Sequence, residues 1–115
     1  MSGNSNTLPN EMSAEAFFAA AAKNPSAFAS NRFSDTGLVK TICDKLADQF
    51  RAKVTIAEIY SEQDRIESEG GPYAATMIVV VPASKKVPFL EYVAGALRPD
   101  EFDLIGEGAY RLWWD

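Results

Sequence analysis

Tyr73-Ala74-Ala75-Thr76-Met77-Ile78-Val79-Val80-Val81 is the stretch whose reading decides the fold. A strand with one solvated face alternates apolar and polar side chains, but this run is apolar at every position from Met77 until Pro82 ends it. That pattern predicts a strand covered on both faces, in the middle of a sheet. Spanning a bilayer takes roughly 20 apolar residues, and no run here approaches that, so no membrane role is expected.

Immediately upstream, residues 53–60 carry Val54, Ile56 and Ile59 with no breaker and read as a first strand. Glu58 is the acid inside that strand, read either as a carboxyl with a raised pKa or as an edge-strand glutamate pointing to water. The connection over 61–72 sets Glu62, Asp64, Glu67 and Glu69 against Arg65 and closes on Gly70-Gly71-Pro72, a long polar loop. Its carboxylates lack the spacing and central glycine of a calcium loop, so no metal is assigned.

Further upstream, Leu38, Val39, Ile42, Cys43, Leu46 and Phe50 recur every three or four residues over 37–52, opposite Lys40, Asp44, Lys45, Asp48, Gln49 and Arg51. This is an amphipathic helix with one buried stripe, in which Cys43 serves as a small core hydrophobe. Residues 14–23 form an alanine-rich helix with Ser13 as its N-cap and Asn24-Pro25 as its stop, and 25–33 suggest a further helical turn anchored by Phe28 and Phe33. The alanine-rich helix carries only Glu15 and Lys23 as charges, so much of its surface must rest on protein, either its own sheet or a second subunit. Residues 1–12 are polar and without period, a disordered tail before a single domain over 13–115.

Downstream, 87–97 form a helix with Phe89, Val93 and Leu97 on one face and Arg98-Pro99 at its end. Residues 102–105 and 109–114, separated by Gly106-Glu107-Gly108, form a terminal hairpin. The order is therefore α-α-β-β-α-β-β, which predicts an α+β domain: two layers, a mostly antiparallel four-stranded sheet and about three helices. Alternation in the last strand puts Tyr110, Leu112 and Trp114 on one face and Ala109, Arg111 and Trp113 on the other.

The chain of 115 residues has no histidine and one cysteine, so imidazole-dependent nucleophiles, His-ligated metals and an internal disulfide are all excluded within it. No phosphate loop, dinucleotide fingerprint, nucleophile elbow or zincin motif occurs, and no cofactor is expected. A net charge of −5 disfavours unaided nucleic-acid binding. Lys40, Lys45, Arg51, Lys53, Lys85 and Lys86 read as a solvated face. The N-terminal stretch has neither basic nor apolar region of a signal peptide, and the lone thiol suits a reducing compartment, so a cytoplasmic location is expected.

These features lead to a non-catalytic, acidic interaction protein that binds and regulates or inhibits a protein partner, itself basic by charge complementarity. Immunity proteins and phage-encoded anti-defence inhibitors share this compositional profile, although no residue pattern here resembles a particular family. Tyr110, Arg111, Trp113 and Trp114 are the residue types of interface hot spots and, with Glu62, Asp64, Glu67 and Glu69, are the candidate partner-binding residues. The alternatives are a homodimer assembled through the alanine-rich helix or the open sheet face, and, less favoured, an enzyme using paired carboxylates.

Overall fold

The computed structural model describes residues 10–24, 27–28, 36–59, 67 and 72–114. In chain order these form β1 (Met12–Ser13), α1 (Ala14–Ala20), α2 (Thr36–Gln49), β2 (Lys53–Ala57), β3 (Thr76–Val80), a 3-10 turn (Ala83–Lys85), α3 (Lys86–Tyr92) continuing into a π-helical turn (Val93–Leu97), β4 (Glu101–Gly106) and β5 (Ala109–Trp113). All strand pairs are antiparallel and the sheet runs β1-β2-β3-β5-β4. The fold is α+β with three helices among the described residues. It has five strands against the four expected, because Met12 and Ser13 add a short pairing to Ile56 and Thr55.

The local rules place the element ends. The Ser13 side chain accepts the Ala16 N–H at 3.2 Å, capping α1 as its sequence predicts. Helix α2 stops at Gln49, before the expected Ala52, because Arg51 takes a left-handed conformation (φ 53°). The Ala52 N–H then returns to the Leu46 carbonyl at 3.1 Å, satisfying an end the helix would otherwise leave open. The π-helical turn closes likewise at Arg98 (φ 47°), before Pro99 forbids continuation. The turn proposed for 25–33 lies mostly outside the described residues, although Ala27 and Phe28 are both buried.

One sheet face carries Val54, Ile56, Met77, Val79, Tyr110 and Leu112, all buried beneath α1, α2 and α3. The helices contribute Phe17, Val39, Cys43, Leu46, Phe89, Val93 and Leu97. Burying each large apolar side chain is worth about 1.5–3 kcal/mol, so this layer interface dominates the stability of the domain. Strand β3 is central, as its sequence predicts, but its second face is not fully covered: Ile78 is half-buried and Val80 exposed. The apolar run reflects central position and β-branched propensity; no second helical layer covers that face among the described residues.

Candidate functional site: the β4–β5 edge

The sheet ends on one side at β4, whose outer flank pairs with no described strand. All six of its residues are exposed. Register with β5 sets its faces: Phe102 and Leu104 lie opposite Leu112 and Tyr110 on the helix-bearing side, and Glu101 and Asp103 opposite Trp113 and Arg111 on the open side. An irregularity between Leu104 and Gly106 leaves Ile105 outside the regular ladder. The helical layer stops short of this strand, so Phe102 is 39% exposed, Leu104 67% and Ile105 51%.

Phe102 is nevertheless held in place. Its ring stacks on Tyr110 with centroids 5.2 Å apart and planes 9° from parallel, and Phe89 lies 6.5 Å away. Beside it, Leu90, Val93, Ala94, Arg98 and Pro99 complete a groove of about 380 Å³ between the end of α3 and β4. The groove floor is apolar and Arg98 is its charged member.

The open side is ionic. Arg111 reaches Glu58 through two bonds, Nε to Oε2 at 2.5 Å and Nη2 to Oε1 at 2.8 Å, donates from Nη1 to Glu101 Oε1 at 2.8 Å, and lies 3.6 Å from Asp103. Glu58 arrives from the end of β2 with a left-handed backbone (φ 52°), a conformation that costs a non-glycine residue on the order of 1 kcal/mol. The Arg111 hydrogen bonds hold the Glu58 carboxyl below its ordinary range; desolvation opposes this more weakly, and the Arg111 charge and the Thr76 hydroxyl at 3.3 Å add to it. The guanidinium is in turn raised above its usual range by Glu58 and then Glu101. One cation thus faces three carboxylates.

The structure separates the residues expected to meet a partner. Tyr110 (5% exposed) and Trp114 (1%) are core side chains on the helix-bearing side, and the Trp114 indole donates to the Leu97 carbonyl at 2.8 Å. Arg111 and Trp113 lie half-buried on the open face. Glu67 is exposed, while Glu62, Asp64 and Glu69 lie outside the described residues. Glu58 is exposed, as a glutamate pointing to water would be, but it is neither a raised acid nor on an edge strand: β2 is interior, and the residue follows its last residue, Ala57, as the partner of Arg111. The exposed Phe102, Leu104 and Ile105, with Glu101 and Asp103, had a visible signal in alternation beside a tight hairpin, but only strand order reveals that they form an edge.

A second, larger groove of about 630 Å³ runs between α1 and α2, with Phe18, Ala19, Ala22, Cys43 and Ala47 on its walls and Glu15, Lys40 and Asp44 also among its lining. The thiol of Cys43 is pushed up to about 12, chiefly by burial and secondarily by Asp44, which makes it a poor nucleophile. Among the described residues no helix is long and apolar enough to cross a membrane, and no cluster of three or more acidic or thiol groups is arranged to hold a metal ion. Compared with models of protein families, with curated proteins and with solved structures, the chain matches none.

Proposed function

We propose that this chain is a non-catalytic interaction protein that binds a protein partner through the β4–β5 edge and thereby regulates or inhibits it. The observation that carries this reading is the apolar trio Phe102, Leu104 and Ile105 displayed on an edge strand whose outer flank pairs with no described strand. Folded proteins usually blunt such edges with lysine, proline or a covering element, because an open ladder recruits other chains. The acidic balance of −5 favours a basic partner by complementarity and steers its approach.

Affinity capture from the cells that naturally produce the protein tests this, with wild type and Leu104→Glu as parallel baits. A protein held in stoichiometric amount by wild type and lost from the variant is the expected result. Recovery of no protein, or equal recovery by both baits, counts against the reading. Self-assembly is the second reading, favoured by α1, whose Ala16, Ala19 and Ala20 are exposed beside the α1–α2 groove. Light scattering across a concentration series separates the two, since a strict monomer removes assembly from consideration.

A further inference from the structure

We propose that β4 receives an extended segment of the partner, alternating basic and apolar side chains, as a sixth strand of the sheet. The inference rests on the partner-binding reading above and names the chemistry of the partner.

An incoming strand satisfies the outward N–H and C=O groups of β4 and must present one row of side chains to each face. On the helix-bearing side its apolar row meets Leu104 and the Phe102 ring, which is already fixed by stacking on Tyr110, and extends toward the groove beside Val93 and Pro99. Its other row meets Glu101 and Asp103. There Arg111 has its two short Glu58 bonds and a third to Glu101, and stands 3.6 Å from Asp103. Three carboxylates around one guanidinium leave a local excess of two negative charges, and lysine or arginine directly across from Asp103 offsets it at cross-strand distances of roughly 5 Å.

The same charges argue against a second copy of this chain as the occupant. Directly opposed residues in an antiparallel pair share a face, so overlaying two β4 strands sets Glu101 and Asp103 against the carboxylates of the other copy. The opposite edge offers no equivalent, because β1 is two residues long.

The test uses the full-length protein and fluorescein-labelled heptapeptides that alternate lysine with valine, alternate glutamate with valine, or carry proline at the centre of the lysine peptide. Anisotropy should show the lysine peptide binding about tenfold more tightly than either control, weakening as salt rises. Amide shifts in the NMR spectrum should concentrate at residues 101–106. Asp103→Lys should reverse the preference between lysine and glutamate peptides, and Leu104→Glu should abolish binding of both. Equal binding of the two charge types, or shifts that map away from β4, overturns the proposal, as does a light-scattering dimer joined through β4. Captured partner distinguishes the two levels: loss with Leu104→Glu but indifference to Asp103→Lys overturns the basic strand and leaves partner binding standing. A lysine peptide that binds β4 while neither bait holds any protein supports the strand chemistry and overturns only the partner-binding reading.

Discussion

Trp113 and Trp114 are neighbours with opposite fates, because one step along a strand reverses the direction of the side chain. Trp114 enters the core, edge-on to Phe28 at 5.8 Å, and closes the Leu97 carbonyl; Trp113 stays half-buried on the open face. Cys43 shows the same dominance of position over reactivity. Its thiol titrates near 12 in the folded chain against 9.0 for an ordinary thiol, because burial penalises the thiolate. A raised acid pKa means the folded state holds its proton longer than the unfolded state does. Stability is therefore unaffected below about 9 and falls as pH climbs from about 9 toward 12, by at most roughly 1.4 kcal/mol per pH unit. Denaturant melts of wild type and Cys43→Ala from pH 8 to 11 should show that excess slope in wild type alone, and thiol reagents at pH 8 should react only as the protein unfolds.

At the scale of elements, the β4–β5 hairpin positions the whole candidate surface, and it turns on Glu107-Gly108, with Gly106 inside β4. Gly108 has φ +68°, and a Cβ there would stand 2.7 Å from the Val81 carbonyl oxygen, while its own carbonyl accepts the Val81 N–H at 2.9 Å. Gly108→Ala is thus expected to cost about 1–3 kcal/mol, the left-handed penalty plus displacement of Val81, read as a lower denaturant midpoint with an unchanged slope. The turn was legible because glycine, glutamate and glycine separate two β-prone runs. The irregularity at Ile105 was not, since nothing in Leu104-Ile105-Gly106 says which residue leaves the ladder.

For the molecule as a whole, an apolar edge invites pairing with a second copy of itself. Asp103 lies beside Leu104 on the strand and supplies the repulsion, as charged side chains do on other exposed edges. Asp103→Val should accordingly raise the β propensity of β4, remove its outer charge and shift the protein toward dimers or larger species. Light scattering at matched concentration checks this, and an Asp103→Val protein no more associated than wild type would show that the carboxylate does not guard the edge.

The sequence by itself placed α1, α2, α3, β2, β3 and the terminal hairpin, the stripe of α2 that buries Val39, Cys43 and Leu46, and the central position of β3; it missed β1 and the helical Glu67, put the exposed Leu38 in the buried stripe, and left open which face of the last strand is buried. The properties it placed are written in spacings of two, three and four residues, which act within one element. Tertiary structure alone decided that the strands run β1-β2-β3-β5-β4 and that β4 is therefore open, so that Phe102, Leu104 and Ile105 face outward although their composition suits a core. It also brought Glu58 to Arg111 across 53 residues. Strand order is settled by competition among pairings distant in the chain, and periodicity is blind to it: the pattern of a strand records which faces are covered and not whether a neighbour lies along its edge.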